Sequence, residues 1–458
     1  MHTPEKMLHL TEAAAAIGGE VHGADVAFSS VSTDTRTLRP GALFVALRGP
    51  RFDGHDFLEQ ARGAGAIAAM VDERLPSLPA SLPLLRVGDT RLALGRLAAF
   101  WRRRFPIPLV AITGSNGKTT VKEMTAAILR AHCAAEGAVL ATEGNLNNDI
   151  GVPLTLLRLT PAHRYAVIEM GMNHFGEIDY LSRLAGPQVA LVNNAQAAHL
   201  AGVGSLEGVA RAKGEIYGGL ASDGIAVINA DEAFAGFWRE LAGTRPVIDF
   251  GLKRPAAVSG RFEMTPHGTE LSLVLPTGTA HTRLNLLGVH NVRNALAAAA
   301  VAAALGIPAQ TVAAGLAGVT PVKGRLNRKR AILGATFIDD SYNANPDSMR
   351  AAIDVLAAMP GKRVLVLGDM GELGEAAWQR HGEIGAYARD RGIDVLFCLG
   401  ENARAMAEAF GRNAWHFERI EELLADLENL LAPDVTVLVK GSRFMQMERV
   451  VKSFALEE

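Results

Sequence analysis

Apolar positions along this chain fall into two alternating rhythms. Short, almost uninterrupted apolar runs occur at Leu109 to Ile112, Ala166 to Ile168, Val189 to Val192 and Ile225 to Ile228. Helix-like stretches lie between them. Continuous apolar runs of this length predict strands buried on both faces, so residues 106–320 read as a mostly parallel sheet with helices on either side. A second series, Arg363 to Leu367, Val395 to Leu399 and Thr436 to Val439, predicts a smaller doubly wound, Rossmann-like sheet over residues 321–458. Residues 257–287 differ. Leu271 to Leu275 and Thr282 to Leu287 are short alternating pieces that predict an antiparallel insertion or edge, ahead of an alanine-rich helix from about Asn291 to Leu305. The first 105 residues mix strand-like Ala42 to Leu47 with helix-like Phe57 to Ala64, and close on a helix from Arg91 to Arg104. Pro106 and Pro108 restrict the residues before them and mark a linker. The predicted fold is α/β in three domains, 1–105, 106–320 and 321–458, the central one of P-loop type.

Length agrees, since 458 residues at roughly 150 per domain give three. Lys and Arg number 46 against 48 Asp and Glu, a formal charge of -2, so no basic field draws the chain to nucleic acid or an anionic membrane. Cys133 and Cys398 stand far apart without metal-ligand spacing, as expected in a reducing cytoplasm. No stretch of about 18 uninterrupted apolar residues occurs, so neither secretion nor membrane insertion is expected.

The chemistry starts at Thr113-Gly114-Ser115-Asn116-Gly117-Lys118-Thr119-Thr120, directly after the strand Leu109 to Ile112. A strand, a glycine turn and a helix make a phosphate cradle. Gly114 and Gly117 let backbone N–H groups turn toward an anion, the helix dipole points at the same place, and Lys118 adds a mobile charge. Thr119 would put a hydroxyl on magnesium. The general pattern G-x-x-x-x-G-K-[ST] wants glycine where Ile112 stands, so this loop is a variant.

Other polar residues gather at strand ends. Glu169 closes the second central strand, where a carboxylate is either a solvated end or a metal ligand for the neighbouring loop. Past the next strand, Asn193 and Asn194 lead to His199, a satisfied polar residue or a ligand. Lys213 sits in a helix opened by Ser205 and reads as surface charge. Asn291, in Gly288-Val289-His290-Asn291, is an N-cap or a ligand. The run Asp339 to Ser348 carries Asn345 or Asp347 as a cap with Pro346 behind it, which leaves both aspartates and Tyr342 without a structural job.

In order, Thr-Gly-Ser-Asn-Gly-Lys-Thr-Thr, Glu169, His199, Ala212-Lys213-Gly214-Glu215, His290-Asn291 and Asp339-Asp340-Ser341-Tyr342-Asn343-Ala344-Asn345-Pro346 resemble the ATP-dependent Mur ligases over nearly the whole chain. Gly144-Asn145-Leu146-Asn147-Asn148-Asp149-Ile150-Gly151-Val152-Pro153 is similar to the branch that adds D-alanyl-D-alanine, and the Asp-Asn-Pro-Arg signature of the branch adding the third peptide residue is not found. The resemblance implies an acyl-phosphate amide ligase using ATP and magnesium, with UDP-N-acetylmuramoyl-tripeptide and D-alanyl-D-alanine as substrates, cytoplasmic and monomeric. Lys118 and the loop amides, Gly114 to Thr120, would hold phosphates. Thr119 and Glu169 would hold one magnesium, with His199 near a second and a carbamylated Lys213 as a further ligand. Asn291 would meet adenine, while Arg325 and Asp340 close over phosphates and ribose. Ser32, Thr33, Asp34 and Arg36 would take the uridine nucleotide, Asn145, Asn147 and Asn148 the muramoyl peptide, and Asn343 and Asn345 the dipeptide. Folylpolyglutamate synthase, a P-loop kinase and a non-enzymatic nucleotide switch are the rival readings.

Overall fold

Alternate side chains of the central strand Leu109–Thr113 enter two different cores, Leu109 and Ala111 on one face, Val110 and Ile112 on the other. That two-sided burial is why the sequence shows an unbroken apolar run. The computed structural model describes residues 6–74, 82–135, 137–196, 200–265 and 268–456. The central sheet is wholly parallel, in the order Val247–Phe250, Ile225–Asn229, Val189–Val192, Leu109–Thr113, Tyr165–Glu169, Val139–Ala141. Its two edge strands, of three and four residues, were not predicted, being too short to stand out as runs.

Before it lies a five-stranded sheet, Glu20–His22, Leu84–Val87, Ala68–Asp72, Ala42–Val45 and Ser30–Ser32, parallel except for its first pair. After it, a six-stranded sheet runs Asn327–Arg330, Thr336–Asp340, Val435–Lys440, Lys362–Gly368, Val395–Leu399, Ala414–Phe417, with only the first pair antiparallel. The stretch expected as an antiparallel insertion is a separate three-stranded sheet, Ser259–Thr265, Gly268–Leu275 and Gly278–Leu284. Leu287, expected in its last strand, lies beyond it. The alanine-rich helix starts at Val289, with Gly288 at its N-cap, so Asn291 stands inside the first turn and is not the cap. Asn345 is the cap of Pro346–Ala357, accepting from Ser348 N, with Pro346 at the first helical position.

The three units are joined by different physics. Leu43, Met70, Leu94 and Leu97 of the first unit share one buried cluster with Leu109, Ile168 and Val192 of the central sheet. The third unit instead has its own two cores, around Ile338 and Leu365 on one face and Phe337 and Val366 on the other. It meets the central unit mainly through polar groups.

The first junction is clamped by Arg102, 7% exposed, whose guanidinium donates to the carbonyls of Ala185 (3.1 Å), Phe105 and Ile107 (3.0 Å). It thereby fixes the proline linker against the central sheet. Replacing it leaves these carbonyls unpaired away from water, so Arg102→Met should cost about 2 to 4 kcal/mol. Thermal unfolding checks this; an unchanged transition would exclude a clamp.

At the second junction His290 is crowded between domains. A Cβ on Gly288, at φ +90°, would lie 2.6 Å from its ring and 2.8 Å from Val355 of the third unit, so only glycine fits. Burial, with Lys440 and Arg293 adding repulsion and Asp354 opposing them, pulls the His290 pKa down to about 4. The unfolded chain, with an ordinary pKa near 6.5, then binds the proton that the folded chain refuses. Stability held above pH 6.5 is therefore lost as pH falls toward 4. Between pH 7 and pH 5 the loss should be at most about 2 kcal/mol, and His290→Asn should unfold with a correspondingly flatter pH dependence over that range.

Candidate active site

The phosphate loop is built as its glycines require. Gly117, at φ +79°, would put a Cβ 2.3 Å from Asn294 Oδ1 and 2.8 Å from Asn193 Nδ2, so only glycine fits. It is the N-cap of the helix Lys118–Cys133 and supplies no side chain to it. The first-turn N–H groups of that helix thus face outward without helical acceptors, an anion site by construction. Lys118 Nζ is folded back onto its own loop, donating to the carbonyls of Gly114 at 2.7 Å and Ser115 at 3.4 Å. Burial lowers its pKa, Glu169 raises it and Arg325 lowers it again.

The loop looks into one cleft of about 1160 Å³, shared by the central and third units with Arg91 from the first. Glu169 lies at its floor, 2% exposed, accepting from Thr119 Oγ1 at 2.9 Å and Asn147 Nδ2 at 2.8 Å. Thr142 Oγ1 fixes the strand end by accepting from Glu169 N at 2.9 Å. Among the described residues Glu169 has no ion-pair partner, so a buried carboxylate is held by neutral donors alone. Thr119 Oγ1 also accepts from Arg325 Nη2 at 3.0 Å, and the guanidinium stacks 4.4 Å over the Tyr342 ring. Tyr342 thereby gains the structural job that it lacked.

Lys213 is not a surface charge. It is 1% exposed and makes no hydrogen bond or ion pair among the described residues; burial, then the nearby charge of Lys118, pulls its pKa well below that of a free lysine. Ser205 caps its helix as expected, accepting from Gly208 N.

A chain of amides then joins the loop to the helix Val289–Ala304 and to the third unit. Asn291 Nδ2 donates to the Leu287 carbonyl at 2.8 Å, and Asn294 Nδ2 to Asn291 Oδ1 at 3.2 Å. Asn193 Nδ2 bonds Asn294 Oδ1 at 3.1 Å and the Asn116 carbonyl at 3.0 Å, while Asn194 Oδ1 accepts from Asn116 N at 2.9 Å. Asn116 and Asn345 exchange amide bonds at 2.8 and 3.2 Å, loop to third unit. Asp340 is paired with Lys440 at 2.6 Å, and Lys440 also donates to the Asn343 carbonyl at 2.8 Å.

The structure thus brings Ser115 to Thr120, Glu169, Asn145, Asn147, Asn148, Asn291, Arg325, Asp340, Asn343 and Asn345 to one cleft. Asn148 caps the turn there, accepting from Gly151 N at 2.8 Å, and Asp149 receives Arg91 of the first unit at 2.7 Å. Ser32, Thr33, Asp34 and Arg36 are not among the cleft residues; Asp34 and Arg36 pair with each other at the surface. His199 lies outside the described residues. Asn194, Asn294, Gln196 and Lys440 were not singled out in sequence. The asparagine pair at a strand end beside the loop was the available signal for Asn194.

Residues 27–102, 112–302 and 324–443 match, respectively, the Mur ligase family catalytic domain, the Mur ligase middle domain and the Mur ligase glutamate ligase domain. The UDP-N-acetylmuramoyl-tripeptide--D-alanyl-D-alanine ligase of Escherichia coli K12 is 49% identical over 449 residues, 96% of each chain. The crystal structure of MurF from Acinetobacter baumannii superposes with a TM-score of 0.91 at 37% identity, covering 98% of this chain and 99% of that one. MurF from Thermotoga maritima, solved with ADP, gives 0.81 at 28% identity over 92% and 96%. With the phosphate loop, the buried carboxylate and the buried lysine set between three α/β units in the same order, this chain belongs to the Mur ligase family.

Proposed function

We propose that the chain is an ATP-dependent amide ligase joining D-alanyl-D-alanine to UDP-N-acetylmuramoyl-tripeptide in the cytoplasm. The observation that carries the reading is one cleft in which a phosphate loop faces a buried carboxylate and a third domain. In this reading residues 1–105 take the uridine nucleotide at Ser32, Thr33, Asp34 and Arg36, residues 106–320 take ATP, and residues 321–458 close over it and receive the dipeptide near Asn343 and Asn345.

The tripeptide's terminal carboxylate attacks the γ-phosphorus of ATP, and ADP leaves. The dipeptide's amine then attacks the acyl-phosphate carbon, the C–O bond breaks, and inorganic phosphate departs as the nitrogen sheds its proton. Anions must meet a triphosphate here, so the loop amides and Lys118, swung off its own carbonyls, offset repulsion and hold the phosphates in line. Arg325 covers them from the third unit, and Asn291 and Asp340 are placed for base and ribose.

Thr119 and Glu169 fit magnesium, a hard cation that takes oxygen ligands: an alcohol and a carboxylate share a buried spot where, among the described residues, no protein cation is paired to the carboxylate. When bound, magnesium would neutralise phosphate charge. Lys213 fits carbamylation, because only an uncharged amine attacks carbon dioxide and burial favours the uncharged form here; the carbamate would turn it into a further oxygen ligand, with His199 as the remaining candidate.

Phosphate release should require ATP, the muramoyl tripeptide nucleotide and D-alanyl-D-alanine together. Release with any one omitted points to a kinase or a nucleotide hydrolase instead. Lys118→Ala should fold normally and lose about 10² to 10³ in turnover; wild-type turnover would remove the loop from the chemistry. Labelled carbon dioxide should give a carbamate carbon resonance in the wild type that is missing from Lys213→Ala. A resonance that persists there belongs to another amine.

A further inference from the structure

In the third unit, chain leaves two neighbouring strands in opposite directions. After Lys362–Gly368 it turns to the helix Ala377–Asp390, whose Ile384 and Ala388 join the core with Ile338 and Leu365. After Val435–Lys440 it turns to the helix Glu448–Phe454, whose Val450 and Val451 join the opposite core with Phe337 and Val366. A crevice opens between such diverging loops at the carboxyl ends of parallel strands, the place where open α/β sheets hold ligands.

Both lips of this crevice are built and belong to the cleft: Gly371 and Glu372 on one, Ser442, Arg443 and Phe444 on the other. Ser442 Oγ accepts from Gly371 N at 2.7 Å and donates to the Ala344 carbonyl at 3.3 Å, which ties the lips to the segment carrying Asn343 and Asn345. The two lips approach closely: a Cβ on Gly371 would lie 3.2 Å from the Phe444 ring. Glu372 and Gln446, one in each loop, hold left-handed backbone at φ +61° and +51°, an unfavourable state that fixes the lips in shape. Phe444 is nonetheless 64% exposed, and the Arg443 side chain 62%. Lys440, the nearer cation, is already committed to Asp340 and the Asn343 carbonyl. Arg443 makes one hydrogen bond among the described residues, Nη1 to Glu448 Oε1 at 2.9 Å, which steadies the guanidinium and leaves its other donors for a ligand.

We propose that this crevice reads the far end of the dipeptide: Arg443 takes the terminal carboxylate and Phe444 covers the methyl side chain beside it. The inference rests on the ligase reading above. A planar guanidinium suits a carboxylate in paired geometry, and an exposed ring suits a small apolar group. The amine end then lies toward Asn345, which touches the phosphate loop through Asn116.

The test is steady-state kinetics of the full chain with D-alanyl-D-alanine and with D-alanyl-D-alaninamide, which lacks the carboxylate. In the wild type the amide should need a KM roughly tenfold to a hundredfold higher. Arg443→Ala should raise the KM for the acid to that of the amide, leave the amide, ATP and uridine-nucleotide KM values unchanged, and hold kcat within about threefold; Arg443→Lys should fall between. Phe444→Ala should weaken acid and amide alike. If Arg443→Ala affects acid and amide equally, or neither, the carboxylate is read elsewhere and the inference fails. If the wild type ligates neither dipeptide, it is the ligase reading that fails.

Discussion

Hydrogen bonds between the phosphate loop and the third unit hold this architecture in register, because the buried apolar residues of that unit form two cores of their own, joined from the central unit by the partly buried Leu287. Asn116 exchanges amide bonds with Asn345, and Arg325 reaches Thr119. Each of these residues also faces the cleft. Polar contacts can be exchanged for ligand contacts at small net cost, whereas a shared apolar core cannot be parted cheaply. The first unit, by contrast, shares its core with the central sheet. The sequence of junctions therefore divides the molecule into a fixed pair and a unit free to respond to what the loop binds.

Electrostatics beneath the phosphate loop follow from burial at two residues, Glu169 in the cleft lining and Lys213 behind it, which does not line the cleft. Glu169 and Lys213 are both nearly inaccessible, yet no ion pair joins either to another described residue. A buried charge without partners is costly, so burial favours the neutral lysine, and the carboxylate is kept by two neutral donors. In the proposed ligase, a bound nucleotide would bring further charge into the cleft beside them.

The parts of this architecture legible in sequence are those with hydropathy or turn signatures. Strands buried on both faces announce themselves as unbroken apolar runs, which is why Val189–Val192 and Val395–Leu399 were located to the residue. Gly-Lys-Thr-Thr after a strand and Asn345-Pro346 before a helix carry conformational requirements that few other residues meet. Lys213 was misread, since Arg211 and Glu215 beside it give its helix the look of a solvated face while the lysine points inward. The amide chain through Asn193, Asn294 and Asn291 left no pattern, because an amide that bonds another amide a hundred residues away resembles one that bonds water. Short edges such as Val139–Ala141 were lost for a different reason: three apolar residues are too few to be told from chance.

The central claim is that the third unit docks through the nucleotide loop while the first is fixed by apolar burial. Distances between paired spin labels test it most directly, one pair spanning the first and central units and one spanning the central and third, measured with and without a non-hydrolysable ATP analogue. The account predicts a first pair whose distribution does not change and a second that shifts and narrows with nucleotide. A first pair that moves while the second stays fixed would contradict it.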